Sequence, residues 1–285
     1  MKEYSIRLST GDTLSACIPH EELVYGATAL LIPPQHLPTS MANLVGRLSG
    51  ICAYHPITEE AIDIVVDSAF TTPTLLVPLH EDIDYTLAEQ YGLTYKQVVA
   101  PYFLGKGKEA LRDDKDTGFR RSVVVVVYDE PTDKYLCVDC VYRVCRSFVM
   151  GGIEGDEDIP TTALREVAEE TGYCDLTVDR CSVYELHNHF YADYKNINRY
   201  AHLYVVFAHT NSMATIPMTE LELGKQRPVW LSREEIKEFL TVPNNIFIYE
   251  HIFDKDTPFT TDGMMINSGE YSGKLRSVVA DMLNK

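Results

Sequence analysis

Three glutamates in the segment REVAEE have a spacing that suits a metal site. Glu166, Glu169 and Glu170 would project within a sector of about 100° on an α-helix, because each residue turns a helix by about 100°. Like charges so close together destabilise a helix unless a positive charge lies among them. Hard divalent cations bind oxygen ligands, and Mg²⁺ binds through a few carboxylates together with substrate phosphates. The cluster therefore predicts a Mg²⁺ (or Mn²⁺) site, and the alternative is an exposed acidic face crossed by salt bridges.

A glycine-led loop precedes these glutamates and extends the pattern. The pattern reads Gly151-x5-Glu157-x7-Arg165-Glu166-Val167-x-Glu169-Glu170-x-Gly172-Tyr173. A loop that leads into a helix with carboxylates on one face is suited to hold a metal and a diphosphate. The pattern resembles the Nudix box, with two departures. Tyr173 stands where an aliphatic residue is usual, and the Gly151–Gly152 pair lies one residue closer to Glu157 than in the common lead.

The resemblance implies Mg²⁺-dependent hydrolysis of a nucleoside diphosphate linked to another moiety, and an α/β/α Nudix sandwich. It also implies roles for the matching residues. Glu166, Glu169, Glu170 and Gly151 would hold the metal, while Arg165 and Glu157 would support the helix and the loop. The metal would act as a Lewis acid, as a template for phosphate and as an activator of water. The general base stays open among Glu170, Glu185, Glu220 and Glu222.

Four basic residues are candidates for neutralising the phosphates of a substrate. Arg143 and Arg146 come just before the glycine-led loop, and Lys195 and Arg199 lie between two predicted strands. Arginine and lysine both pair with phosphate, arginine in a bidentate manner. The alternative for each of them is an ordinary solvated surface position.

The segments on either side of this block carry a second resemblance. They contain YGATALLIPPQHLP, LSGICAYHPITEEAIDIVV and LLVPLHEDIDYTLAEQYGLTYKQVVAP before the block, and TTDGMMINSGEYSG after it. In that order they resemble the inserted editing domain of leucyl-tRNA synthetases, which deacylates mischarged tRNA. The resemblance implies that Asp84 holds the α-amino group of an amino acid, in a site that also includes Thr28. The family's threonine-rich peptide is replaced here by IPHEEL at 18–23, which lacks the threonines.

Both resemblances together predict a nested α/β (α+β) architecture. A Nudix sandwich at 118–254 would be inserted into a β-barrel-like aminoacyl-tRNA synthetase editing domain formed by 1–104 and 257–285. Periodicity predicts the elements that would position the site. They are strands at Arg121–Tyr128, Tyr135–Tyr142, Phe148–Met150, Val183–Phe190 and Tyr200–His209, a helix from Thr161 or Thr162 to Gly172, and helices at Ser232–Leu240, near Tyr85–Tyr91 and around Leu275–Leu283.

Composition bounds the class of protein. The 285 residues carry a formal net charge of −17, which disfavours a nucleic-acid backbone as the main partner. Seven scattered cysteines and the absence of an apolar leader predict a cytoplasmic protein with reduced thiols, and no apolar run could span a membrane. The C-x-x-C at Cys137 and Cys140 falls in a strand pattern and is interpreted as two structural cysteines.

Three functions remain from the sequence. The first is a Nudix pyrophosphohydrolase of a small-molecule nucleoside diphosphate derivative, with the editing-like domain as an accessory. The second is an editing domain that deacylates aminoacyl-tRNA, for which tRNA would be the partner and the Nudix block an accessory. The third is a binding module without catalysis. The complete set of acids in the box favours the first over the third, and the altered threonine peptide favours it over the second.

Overall fold

The chain forms two compact units, each built on its own mixed sheet. A computed structural model describes residues 2–141, 145–218, 223–256, 266–268 and 271–277. Of the described residues, the first unit contains 2–99 and Ser277, and the second contains 100–256 and those from 266 to 276. Among the described residues, no helix is both long enough and apolar enough to cross a bilayer.

The first unit is an open sheet with one helix. Its strands lie in the order β1-β2-β7-β3-β6-β4, with β5 beside β6. The described residues therefore do not form the barrel-like closed sheet that was expected, because β1 and β4 remain at opposite edges. The helix packs on buried side chains of β3, β6 and β7 through Leu87 and Ala88. The elements are β1 (Lys2–Arg7), β2 (Thr13–Ile18), β3 (Ala29–Ile32), β4 (Gly46–Arg47), β5 (Ala53–Tyr54), β6 (Ala61–Val66), β7 (Thr74–Leu76) and α1 (Asp82–Tyr91).

The second sheet has ten strands, and their order is β11-β10-β9-β14-β13-β8-β17-β16. Strand β12 pairs with β9, and β15 pairs with β10. The central pair β9–β14 is parallel, whereas β13–β14 is antiparallel. The elements are β8 (Val99–Leu104), β9 (Thr117–Asp129), β10 (Lys134–Cys140), β11 (Cys145–Ser147), β12 (Val149–Gly152), α2 (Ile159–Thr171), β13 (Leu176–Ala192), β14 (Ile197–Thr210), β15 (Gln226–Leu231), α3 (Arg233–Phe239), α4 (Pro243–Phe247), a π-helix (Ile248–Ile252), β16 (Ile266–Ser268) and β17 (Tyr271–Ser277).

Helices contact both faces of this second sheet. Val123, Val125 and Val127 alternate along β9 and form a buried cluster with Ala163 and Val167 of α2. Such alternation places all three valines on one face of the sheet. On the other face, Phe103 of β8 contacts Phe247 of α4, with ring centroids 6.0 Å apart. These layers agree with the mixed α/β class that was expected.

The box helix begins earlier than its sequence suggested. Asp158 is the N-cap, and its carboxylate accepts a hydrogen bond from the backbone N–H of Thr161. Pro160 therefore lies inside the first turn, where its missing N–H costs nothing. The helix ends as expected at Gly172, whose φ of 81° is left-handed. The predicted capping box of α3, between Ser232 and Glu235, is present.

Two other expectations about elements have different outcomes. All five predicted strands of the middle block occur, and β9, β13 and β14 extend beyond the predicted bounds. The prediction of a helix around Leu275–Leu283 is wrong for residues 275–277, which belong to β17. The remaining residues of that predicted helix lie outside the described residues.

The cysteines are free thiols, including both members of the C-x-x-C. Cys137 is buried on β10, and burial raises the pKa of its thiol to about 12. A thiol that stays protonated is a poor metal ligand, because the thiolate is the ligating form.

Candidate active site

The loop from β12 to α2 places a carboxylate directly against a glycine. A β-carbon built on Gly151 would lie 1.7 Å from the Cδ atom of Glu166. The glycine is therefore required for the Glu166 side chain to lie across the strand. Strand β12 holds this position because Gly151 pairs with Val123 of the central strand.

Arg165 links the loop to the helix. Its Nε and Nη2 atoms each donate to a different oxygen of Glu157, both at 2.9 Å, and Nη2 also donates to the carbonyl of Gly152. Its Nη1 donates to Glu166 Oε1 at 2.9 Å and to Glu169 Oε2 at 3.1 Å. The hydrogen bonds from Arg165 hold the pKa of Glu157 down at about 2. Arg165 and Glu157 thus act together as a brace for the carboxylates.

The carboxylates retain oxygens that could bind a cation. Glu166 is 9% exposed, and burial raises the pKa of its carboxyl, while Glu169 is exposed to solvent. Arg165 donates to one carboxylate oxygen of Glu166 and to one of Glu169. The other oxygen of each carboxylate accepts no hydrogen bond from the described part of the chain. Glu170 is half-buried in the same turn. These hard oxygen donors fit a divalent cation such as Mg²⁺.

A cavity of about 220 Å³ opens beside Gly151, on the opposite sheet face from α2. Two arginines line it, Arg120 from β9 and Arg199 from β14. Neither guanidinium has a hydrogen bond or ion pair within the described ranges, and Nε of Arg199 is buried without a partner. The side-chain oxygen of Asn188 is also buried there and accepts no hydrogen bond from a described residue. The remaining lining includes the aromatic residues Phe103, Phe190 and Tyr194.

Glycines make room for both guanidiniums. A β-carbon on Gly152 would lie 2.0 Å from Nη2 of Arg120, and one on Gly118 would lie 3.3 Å from Nη1 of Arg199. The carboxylate of Glu109 also lines the cavity, and the charge of Arg120 acts to lower the pKa of Glu166. Two guanidiniums that face a cavity and make no ion pair within the described ranges are suited to bind an anion. Sequence reasoning selected Arg199 but missed Arg120, which lies in the strand pattern FRRSVVVVV among residues that read as structural.

The other predicted phosphate contacts do not line this cavity. The guanidinium of Arg146 lies over the ring of Phe239, 5.3 Å from its centroid. Lys195 is exposed in the turn between β13 and β14. Arg143, and the candidate bases Glu220 and Glu222, lie outside the described residues.

A second cluster joins the remaining candidate base, Glu185, to two histidines that sequence reasoning missed. His187 and His202 are paired directly across β13 and β14, and both are buried. Nε2 of His187 is 3.0 Å from Oε1 of Glu185, and Nδ1 of His202 contacts the same oxygen. Burial alone would raise the pKa of Glu185, but the interactions with both imidazoles outweigh burial and lower it. The sequence feature that could have revealed the pair is a histidine in each of two predicted strands that are neighbours along the chain.

Asp84 and Thr28, the two candidate residues of the first unit, both form a hydrogen bond with the peptide group that joins Leu76 to Val77. Oδ2 of Asp84 accepts a 2.6 Å hydrogen bond from the backbone N–H of Val77, and the backbone N–H of Thr28 donates to the carbonyl of Leu76. Burial raises the pKa of Asp84 to about 7. The hydroxyl of Thr28 is buried and has no hydrogen-bond partner in the described part of the unit.

Comparison with known families identifies the block that contains the box. Residues 118–251 match the family model described as NUDIX domain. This match supports a Nudix domain at residues 118–251. A Nudix domain supports the assignment of the chain as a pyrophosphohydrolase. Enzymes with this domain generally use divalent metals. No curated protein matches the chain.

Several solved structures are similar to part of the chain. The MutT protein of Bacillus halodurans is 18% identical, with a TM-score of 0.39 over 54% of this chain and 97% of that protein. The dihydroneopterin triphosphate pyrophosphohydrolase of E. coli is 18% identical, with a TM-score of 0.33 over 46% and 94%. An Ap4A hydrolase of C. elegans is 15% identical, with a TM-score of 0.34 over 45% and 92%.

Proposed function

We propose that the Nudix domain hydrolyses a pyrophosphate bond in a nucleoside diphosphate linked to another moiety, with Mg²⁺ or Mn²⁺ held by the box carboxylates. The observation that carries this proposal is the pairing of two features at Gly151. On one side Glu166 and Glu169 each offer a carboxylate oxygen, and on the other a cavity presents two guanidiniums that make no hydrogen bond or ion pair with the described residues. A diphosphate needs both a cation and neutralising groups.

Each residue of the site has a role that follows from its contacts. Glu166 and Glu169, with Glu170 and the Gly151 backbone beside them, would hold the cation. When bound, the cation supplies Lewis-acid polarisation of a phosphoryl oxygen and lowers the pKa of water. Arg165 orients Glu166 and Glu169, and Glu157 fixes the guanidinium of Arg165 from the loop.

The cavity would bind the substrate. Arg120 and Arg199 would contact the phosphates, and Asn188 offers a buried acceptor to a polar group of the substrate. Phe190 and Tyr194 supply apolar surface on which a base could stack. The seven free thiols support a reducing location, and we propose that the enzyme is cytoplasmic.

The test is turnover of a panel of nucleoside diphosphate derivatives with Mg²⁺ and with Mn²⁺. We expect Glu169→Gln and Glu166→Gln to lower kcat by about 100-fold or more, because each removes a charged ligand from the cation. Glu238→Gln, on the exposed side of α3, is the matched control and should leave kcat unchanged. Tight binding of panel members without turnover, or glutamine variants with the wild-type kcat, would contradict the proposal.

A second candidate function belongs to the first unit. The unpartnered hydroxyl of Thr28 beside Asp84 supports a ligand site there, and the resemblance to synthetase editing domains would make the ligand an aminoacyl ester on tRNA. The measurement is deacylation of mischarged tRNA by the wild-type protein and by Asp84→Asn. Deacylation that is lost in this variant, together with no turnover of the nucleotide panel, would favour this function over the first.

A further inference from the structure

The cluster of Glu185, His187 and His202 has the composition and convergence of a transition-metal site. His187 and His202 are directly opposite each other on antiparallel strands, so their side chains leave the same face of the sheet. Glu185 lies two residues before His187 on β13 and therefore shares that face. The register of the two strands thus brings all three side chains together.

The nitrogen and oxygen atoms of the cluster point toward a common space. One ligand atom from each residue lies within 4.8 Å of the other two. Oε1 of Glu185 is 3.0 Å from Nε2 of His187 and contacts Nδ1 of His202. Ligands that hold Zn²⁺ tetrahedrally at about 2.1 Å are separated by about 3.4 Å from one another. Small side-chain adjustments would bring these atoms to that spacing.

Tyr200 holds one imidazole in the orientation that ligation requires. Its hydroxyl is 2.6 Å from Nδ1 of His187, so that Nε2 of the same ring is directed to Glu185. Histidines that bind metals usually have such a hydrogen bond on the second nitrogen, which fixes the tautomer. The imidazoles of His187 and His202 are stacked, with centroids 4.0 Å apart and planes inclined by 19°.

His202 supplies an independent sign that this cluster is incomplete. The residue is 3% exposed, and both of its ring nitrogens, including the Nδ1 atom that contacts Glu185, are buried without a hydrogen bond to the residues that the structure describes. Buried polar atoms are rarely left unsatisfied in folded proteins. The side chain of Glu185 is 26% exposed, which gives an ion a path from solvent.

We propose that Glu185, His187 and His202 bind Zn²⁺, or a similar transition-metal ion, at a site separate from the box carboxylates. Imidazole nitrogens suit zinc, whereas the oxygen-only box suits Mg²⁺ or Mn²⁺. Three protein ligands leave a fourth position for water or for an anionic group of a ligand. The site does not depend on the proposed hydrolase function, because none of its three residues belongs to the box.

The experiment measures metal content and spectra rather than turnover. The full chain is stripped with a chelator, dialysed and titrated with Zn²⁺ by calorimetry, and in parallel with Co²⁺ by visible absorption. We expect one tight Zn²⁺ per chain and an intense tetrahedral Co²⁺ spectrum. Glu185→Gln, His187→Gln and His202→Gln should each weaken Zn²⁺ binding by at least about 100-fold, and Tyr200→Phe by about 10-fold.

Matched controls separate this site from the box and from the thiols. Glu166→Gln and Glu169→Gln should keep the tight Zn²⁺, and the double variant Cys174→Ser/Cys181→Ser, which removes both exposed thiols, should keep it too. Circular dichroism checks that each variant is folded. If a histidine variant does not fold, Glu185→Gln alone tests the site. Zn²⁺ bound equally by the wild type and Glu185→Gln, or a Co²⁺ spectrum lost in the cysteine variant, would overturn the proposal.

Discussion

Gly151 and Gly152 are adjacent in β12, but a methyl group added to each would meet a different part of the site. At Gly151 it would overlap the carboxylate of Glu166, and at Gly152 it would overlap the guanidinium of Arg120. We therefore expect Gly151→Ala to displace a metal ligand, lowering both the Mn²⁺ affinity and kcat by about 10-fold or more. Gly152→Ala should instead raise KM for the diphosphate substrate, because it displaces a phosphate contact.

The two variants are controls for each other, since both add one methyl group to the same strand. Mn²⁺ affinity can be measured by the paramagnetic effect of the ion on water relaxation, and KM and kcat by steady-state kinetics. If Gly151→Ala lowers the Mn²⁺ affinity no more than Gly152→Ala does, the prediction is wrong. The added methyl group would then be accommodated without displacing the carboxylate of Glu166.

The residues that sequence reasoning found and missed differ in how far apart they lie along the chain. Glu166, Glu169 and Arg165 are within five positions of one another, and the helical repeat alone predicts their common face. His187 and His202 meet only because β13 and β14 pair in one register. A shift of that register by one residue would separate them, and no local pattern fixes a register. Arg120 was missed for the same reason.

At the scale of elements, the N-terminus of α2 tests how the box is positioned. The carboxylate of Asp158 accepts from the backbone N–H of Thr161 at 2.7 Å, and it is the cap of the helix that carries Glu166. We expect Asp158→Ala to lower Tm by about 2–4 °C, whereas Asp158→Asn, which retains an acceptor oxygen, should lower it much less. Differential scanning calorimetry makes the comparison.

Ser232 provides the matched cap in α3, outside the box. Its hydroxyl accepts from the backbone N–H of Glu235. Ser232→Ala should lower Tm by a similar amount but leave kcat unchanged, while Asp158→Ala should lower kcat as well, since the first turn of α2 anchors the loop through Thr162 and Glu157. A normal kcat in Asp158→Ala would mean that Arg165 alone holds the carboxylates in place.

Element boundaries show where local signals were sufficient and where they were not. Gly172 ends α2 as expected because glycine readily adopts its left-handed conformation. The sequence predicts that Pro160 precedes the helix, whereas the structure places it in the first turn, where proline is tolerated, and Asp158 supplies the cap. The last three residues of β17 belong to the segment LRSVVADML, for which the sequence predicts a helix, because apolar residues in so short a run do not distinguish a helix from a strand.

At the scale of the whole molecule, the predicted domain boundaries stay a prediction. The sequence changes in composition around the polar stretch at 105–118, and the main segment of the first unit ends near it, at residue 99. The expected barrel did not follow, because whether a sheet closes depends on strand number, tilt and stagger, which no short segment encodes. The nested editing-like architecture stays a prediction.

Stability of the whole chain should depend on pH through Asp84. Its pKa is about 7 in the folded protein against a model value of 3.8, so the folded state binds the proton more tightly than the unfolded state. The resulting stabilisation is complete below the unfolded pKa and is lost as pH rises through the folded pKa. We expect the free energy of unfolding to fall by about 1.4 kcal/mol per pH unit between about pH 4 and 7, by at most about 4 kcal/mol in total.

Asp84→Asn should remove this dependence, because asparagine keeps an acceptor for the N–H of Val77 but does not titrate. The difference in unfolding free energy between the variant and the wild type should therefore grow in favour of the variant from pH 4 to pH 7 and stay constant above. Urea denaturation followed by circular dichroism measures it, and hydrogen exchange assigns it to residues 2–99. A difference that is the same at pH 5 and pH 8 would mean that the carboxyl of Asp84 reaches water, and a hydrated carboxylate there could bind an ammonium group after all.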